Sequence, residues 1–261
     1  MSKINSQINK ANKFANLLSN ARKNNKVIER LPKSLITNNK LIEQIRIKAE
    51  NSLCWNTIGF KVGATNSKII SKLKAKQPFF SKIFKEKYFK NNSKLILPKN
   101  LLGIELEVAF KIDKKIFQIK KVNKKNILKN ILSTMPIIEL VGFRQNIRTI
   151  QNVNYAVVDF GLNVAVVNSK YTKFKRNFPL NSKTFLKNVK TNKIYTGHTN
   201  EVLGNPINVL LWLFKELKKK NIHLNKNVIV ATGTTTPIVP VKKGDKFLGH
   251  IKSLGNVRVN F

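Results

Sequence analysis

Glu105 and Glu107 stand two residues apart in GIELEVAF, and Glu139 lies at the centre of MPIIELVGF, so three carboxylates sit inside apolar runs of β character. A carboxylate removed from water needs a cation, a lysine or dense hydrogen bonding to compensate it. Residues two apart on a strand share a side, so Glu105 and Glu107 project together while Leu106 and Val108 face the other layer. Two carboxylates that close repel, and one takes up a proton unless a hard cation lies between them. Glu139 can add a third oxygen ligand from a neighbouring strand, and an all-oxygen set favours Mg²⁺ or Mn²⁺ over zinc. The plainer alternative is a pair of solvent-facing glutamates on an edge strand plus one buried salt bridge.

Lys61, in GFKVG between Gly59 and Gly63, alternates with Phe60 and Val62 in a tight apolar strand. Burial or a neighbouring cation there lowers a lysine pKa toward the range useful for proton transfer; a purely structural lysine is the alternative. The turn Thr234 to Thr236, in VATGTTTPIVPVKKGDKF, offers hydroxyls to a substrate carboxylate, or is a loop between strands.

The elements that must hold these groups fall into two parts. Ile4, Ile8, Ala11, Phe14, Ala15 and Leu18 recur at helical spacing, as do Leu41, Ile42, Ile45, Ala49 and Leu53, so residues 1–55 read as a helical N-terminal region. Residues 56–261 read as a mixed β domain with flanking helices, built on TIGFKVG, KLILP, GIELEVAFKI, MPIIELVGF, YAVVDFGLNVAVV, NVIVATG, KFLGHI and NVRVNF. One strong helix opens at Asn205 with Pro206 in its first turn and carries Ile207, Leu210, Leu211, Phe214 and Leu217 on one face.

With 50 Lys and Arg against 12 Asp and Glu, the formal net charge is +38, which ordinarily points to nucleic acid or an anionic membrane. The distribution argues against both. Lysine far outnumbers arginine, and the basic residues spread along the chain with only a local crowd around Lys111 to Lys129. Lys, Asn and Ile are all abundant and all have codons of A and T alone, so base composition raises them together. Phosphate-binding surfaces instead favour patches with arginine forks, and stacking platforms interleave aromatic and basic residues. No specific nucleic-acid partner is expected. The single cysteine, Cys54, precludes an intrachain disulfide and reads as a small buried residue in a reducing compartment. The first twenty residues lack an apolar signal core and no run reaches the length of a membrane span, which makes a cytoplasmic protein the expectation.

GFKVGAT, KQPFFSKIF, GIELEVAF, IIELVGFR, VVDFGLNVAVV, EVLGNPINVLLWLFKEL and the final VIVATGTTTPIVPVKKGDKFLGHIKSLGNVRVNF together resemble, in order and spacing, the 2-keto-4-pentenoate hydratase and 4-oxalocrotonate decarboxylase branch of the fumarylacetoacetate hydrolase superfamily. The resemblance covers nearly the whole chain. It implies an α+β fold, a mixed β-barrel or β-roll with a helical N-terminal region, in a homo-oligomer. It also implies Glu105, Glu107 and Glu139 as metal ligands, Lys61 as the acid/base, and Thr234, Thr235 and Asp159 at the substrate, a small 2-oxo or 2-hydroxydienoic acid. The implied reaction adds water to a 2-hydroxy-2,4-dienoate; the alternatives are 2-oxo acid decarboxylation on the same site and a diverged relative with neither activity. Phe79 stands where hydratases resembling this chain carry an acid, Phe160 where a polar Asn is common, and Ser81 where glycine is usual. Decarboxylases tend to lack that acid too, whereas ATGTTTP is closer to hydratase versions. Arg144 and Arg148 are expected at the surface, although either could attract an anionic substrate.

Overall fold

The computed structural model describes residues 2–73, 75–147, 152–175, 178 and 181–261. Arg148 lies outside the described residues.

The helical region consists of α1 (Ser2–Lys23), α2 (Lys33–Ile36) and α3 (Asn39–Ser52). Asn38 caps α3 by accepting from the backbone N–H groups of Lys40 and Leu41. The strands then begin: β1 (Thr57–Gly63), β2 (Phe79–Phe84), β3 (Tyr88–Phe89), β4 (Ser93–Lys94), β5 (Leu101–Ile112) and β6 (Ile131–Gly142). They continue with β7 (Asn163–Asn168), β8 (Thr172–Lys173), β9 (Lys183–Asn188), β10 (Ile194–His198), β11 (Val228–Thr234), β12 (Lys246–Ile251) and β13 (Gly255–Asn260). The remaining α-helices are α4 (Ser67–Leu73), α5 (Lys124–Asn130), α6 (Val153–Val158) and α7 (Pro206–Lys219).

A curled mixed sheet runs in the order β2-β1-β11-β5-β6-β7-β3, with β8 pairing β6; a second sheet runs β10-β9-β12-β13-β4. Helices and sheets together make the α+β fold that the resemblance implies. Alternation sorts the first sheet's side chains cleanly. Phe60, Val62, Leu106, Val108, Ile138 and Leu140 enter the main core, shared with Phe247, Val257 and Val259 of the second sheet and with α7. Lys61, Glu105, Glu107 and Glu139 alternate with them and take the opposite face. The N-terminal helices have no core to themselves, because Ala15, Leu18 and Ile45 pack in one cluster with Phe84 of β2 and Tyr155, Val158 and Phe160.

Asn205 accepts from the Ile207 N–H and Pro206 occupies the first turn of α7, as its sequence predicts. The extended reading of YAVVDFGLNVAVV needs correction: Tyr155 to Val158 are helical, and a strand begins only at Asn163. Between them Phe160, Gly161 and Leu162 all take left-handed backbone, with φ of 52°, 60° and 65°. Ser81 holds this turn, its hydroxyl donating to the Phe160 carbonyl at 2.8 Å. KLILP contributes only Lys94 to a strand, while β2, β9 and β10 lie in segments whose polar residues hide their period. Cys54, which itself takes left-handed backbone just past α3, is exposed rather than buried.

At Gly59, a Cβ would lie 1.8 Å from the Ile229 carbonyl oxygen of β11. Gly59→Ala is therefore expected to cost about 1–3 kcal/mol or more, read by chemical denaturation, and a variant as stable as the parent would contradict this contact.

Candidate metal centre

Glu105 and Glu139 are direct cross-strand partners of β5 and β6, and Glu107 lies two residues along on the same face. All three are buried, and each offers a carboxylate oxygen within 4.8 Å of the other two. Lys61 reaches the group from β1, its Nζ 3.5 Å from Glu139 Oε2. The edge-strand alternative for Glu105 and Glu107 is thus ruled out: β5 lies between β11 and β6 and both side chains face inward.

The register of β11 shifts between Ala231 and Thr234, opposite Glu107. The irregularity turns the Gly233 N–H toward the site, where it donates to Glu107 Oε2 at 2.8 Å. Gly233 has φ 104°, and a Cβ there would meet the Thr65 hydroxyl at 1.9 Å, so only glycine allows this approach.

Three carboxylates against one lysine leave two negative charges inside the fold. Burial, reinforced by Glu139 and opposed by Lys61, pushes Glu105 up to about 7. Glu107 is also raised, by burial first and then by Glu139 and Glu105, against the counter-pull of Lys61 and the Gly233 N–H. Burial works to lower Lys61, but the three carboxylates outweigh it and hold its pKa above the ordinary lysine value. Glu139 Oε2, fully buried, accepts no hydrogen bond among the described residues. Such a buried acceptor set, carrying two uncompensated charges and made of oxygen alone, fits a hard divalent cation.

The carboxylates open on a narrow cavity of about 70 Å³, lined by Lys61, Glu105, Glu107 and Thr234 and by apolar Phe79, Leu162 and Ile238. Phe79 takes its place by packing on two glycines. A Cβ at Gly63 would lie 2.4 Å from the Phe79 ring and one at Gly161 3.2 Å from it. The ring centroid is 5.5 Å from Lys61 Nζ, which puts an aromatic group beside the lysine at the position Phe79 takes over from an acid in the pattern the chain resembles.

The other residues singled out from sequence do not all meet there. Thr234 lines the cavity and donates its hydroxyl to the Thr236 carbonyl. Thr235 turns away, donating from Oγ1 to the Leu106 carbonyl at 2.8 Å and so stitching the turn to β5. Asp159 is buried behind the site, paired with Arg144 at 2.5 Å and accepting from the Arg144 backbone N–H at 2.8 Å. Arg144 is correspondingly buried, which corrects the surface expectation: its guanidinium also donates to the carbonyls of Asn163 and Asp159.

Two participants escaped the sequence reading. Asn163 donates to Glu139 Oε1 at 2.7 Å, and Arg22 of α1 donates to Asn163 Oδ1 at 2.9 Å. A signal existed for Arg22: it follows Ala15 and Leu18 at seven and four residues, on the helix's apolar stripe.

No family model matches the chain. It is 24% identical over 223 residues to the 2-keto-4-pentenoate hydratase of Paraburkholderia xenovorans, covering 84% of this chain and 81% of that protein. Its fold is similar to that of 4-oxalocrotonate decarboxylase from Pseudomonas putida G7, complexed with magnesium and adipate, at a TM-score of 0.83 and 15% identity over 96% of this chain and 97% of the other. A more distant likeness, at a TM-score of 0.59 and 12% identity over 78% of this chain and 89% of the other, is to fumarylpyruvate hydrolase from Pseudomonas aeruginosa in complex with Mn²⁺ and pyruvate. The resemblance to the hydratase and decarboxylase branch is thereby borne out.

Replacing Glu107 or Glu139 by Gln keeps the side-chain volume and removes a charge. Each variant is expected to lose Mn²⁺ binding in calorimetric titration while retaining the parent's circular dichroism, and retained affinity in either would remove that residue from the ligand set.

Proposed function

We propose that this chain is a metal-dependent hydratase that adds water to a 2-hydroxy-2,4-dienoate of the 2-keto-4-pentenoate type, giving a 4-hydroxy-2-oxo acid. The observation that carries the reading is the convergence of Glu105, Glu107 and Glu139 with Lys61 in one buried cluster. The similarity to curated hydratases supports the reaction class. Mg²⁺ or Mn²⁺ is the proposed cation, held by the three glutamates; when bound it supplies Lewis acidity toward the oxygens of the substrate.

The protein's own groups account for the rest. Ketonisation of the dienol moves one proton from oxygen to carbon, and Lys61, held protonated by the carboxylates rather than lowered as its burial alone predicts, is the one nitrogen group among the described residues lining the cavity and is proposed to deliver it. Hydration then places hydroxide on C4 and a proton on C3. Val141, Ala156, Leu162 and Ile238 keep the surroundings apolar, which strengthens every electrostatic contact inside. Thr234 is the turn residue proposed to meet the substrate carboxylate, redirecting its hydroxyl from Thr236. Thr235 and Asp159, assigned to the substrate on resemblance, act in this reading from behind, through β5 and Arg144.

Decarboxylation of a 2-oxo acid on the same site is the second reading, favoured by the Phe79 ring beside Lys61. A homo-oligomer in the cytoplasm completes the proposal; among the described residues no helix is long and apolar enough to cross a membrane.

The test is an NMR assay with Mg²⁺ or Mn²⁺ on 2-hydroxypenta-2,4-dienoate and, separately, 2-oxohex-3-enedioate. Chelator-sensitive formation of 4-hydroxy-2-oxopentanoate from the first is expected. Release of carbon dioxide from the second, without hydration of the first, would replace the hydratase by the decarboxylase, and turnover of neither would overturn both. Lys61→Ala is expected to retain metal yet slow proton exchange next to the keto group by about 10² or more; normal exchange would remove Lys61 from the mechanism. Phe79→Asp is expected to raise the hydration rate, and no change would mean that the reaction does not need an acid there.

A further inference from the structure

Glu139 is tied to the N-terminal helix by two successive hydrogen bonds. Its Oε1 accepts from Asn163 Nδ2 at 2.7 Å, and Asn163 Oδ1 accepts from Arg22 Nη2 at 2.9 Å. A carboxamide alone can present either its oxygen or its NH₂ to a neighbour. Arginine, however, only donates, and an ionised carboxylate only accepts. Between them the amide has one workable orientation, oxygen toward Arg22 and NH₂ toward Glu139; the reverse sets donor against donor and acceptor against acceptor.

The middle of this chain and its Arg22 end have further contacts. Arg144 donates to the Asn163 backbone carbonyl at 2.8 Å, which fixes the residue as well as its side chain. The Arg22 guanidinium lies 4.5 Å from the Phe160 ring centroid and 5.2 Å from that of Phe84, so aromatic faces offset part of the cost of burying it. Arg22 is 5% exposed, Asn163 1% and Glu139 0%, so both links are made away from the bulk solvent. With Oε1 committed to the amide, Glu139 turns Oε2 toward Lys61, and this is the oxygen that accepts no hydrogen bond among the described residues.

We propose that Arg22 is a positioning residue for the metal centre: acting through Asn163, it locks the rotation of the Glu139 carboxylate so that Oε2 is presented to the cation. The proposal rests on the reading of Glu139 as a ligand. Groups that orient a ligating carboxylate from behind influence metal affinity without touching the metal.

Arg22→Met keeps the stem and removes every donor. Mn²⁺ titration followed by electron paramagnetic resonance, at a temperature where circular dichroism shows parent and variant folded, is expected to give a dissociation constant raised by about 10- to 100-fold. Arg22→Lys, which restores one donor, recovers part of that loss. Asn163→Val leaves Arg22 in its aromatic surroundings and gives a comparable loss, and the double variant Arg22→Met with Asn163→Val is no worse than the poorer single, because the two act in series. A lower Tm with parental Mn²⁺ affinity would make Arg22 merely structural and overturn the proposal, as would losses that multiply in the double variant. Should Arg22→Met fail to fold, Asn163→Val decides alone, and parental affinity in it overturns the proposal. Absence of Mn²⁺ binding in the parent would remove the metal centre itself, a distinguishable failure that takes this proposal with it.

Discussion

Burying three carboxylates side by side, with only one lysine among them, is the constraint from which the surrounding structure follows. Two strands must run side by side so that Glu105 faces Glu139, a third must bend so that the Gly233 N–H reaches Glu107, and a fourth must bring Lys61 within 3.5 Å of Glu139. None of these contacts neutralises the group, and Lys61 is itself held protonated by it. The same chain carries a net charge of +38, yet its many lysines are not used to cancel the two remaining charges. A carboxylate cluster left with a single lysine is one that a divalent cation suits.

The apolar side of the cavity obeys a second constraint, one of volume. Phe79, Ser81 and Phe160, the three departures from the pattern the chain resembles, are adjacent in space. Phe79 packs on Gly63 and Gly161, Ser81 bonds the Phe160 carbonyl, and the Phe160 ring lies under Arg22. The left-handed turn at residues 160–162 requires compensation, and the Ser81 hydroxyl provides it. These substitutions make sense as a set: a hydroxyl at position 81 fixes a turn whose glycine makes room for the ring at position 79.

Much of this was legible before the structure. Alternation in GIELEVAF was enough to place Glu105 and Glu107 on one side of their strand, since a pleated strand leaves no other arrangement, but Lys61 joins their face only through the pairing of β1 with β11 and of β11 with β5. The helix at Pro206 announced itself through its cap. What stayed hidden was hidden for physical reasons. Tyr155 to Val158 are as β-favouring as any residues in the chain, but burial against α3 and the turn that follows override propensity with a helix. Thr235 was expected at the substrate as part of a hydroxyl-rich turn, and Asp159 because it matches an Asp of the family the chain resembles. Whether a hydroxyl points into a cavity or back at the Leu106 carbonyl depends on the local register shift, which residue spacing does not encode. The apolar stripe of α1 signalled that Arg22 is buried but not its partner, which lies 141 residues away.

The order of strands has a consequence for synthesis. In the first sheet β11 lies between β1 and β5, although it follows them by more than a hundred residues. Until residue 234 has left the ribosome, β1 and β5 each present an unpaired edge, and the glutamates sit in a half-built wall open to solvent. Unpaired edges of apolar strands are where nascent chains associate wrongly. The carboxylates, whose desolvation burdens the finished fold, lose their water only once β11 has arrived, so the cost of burying them falls late in folding.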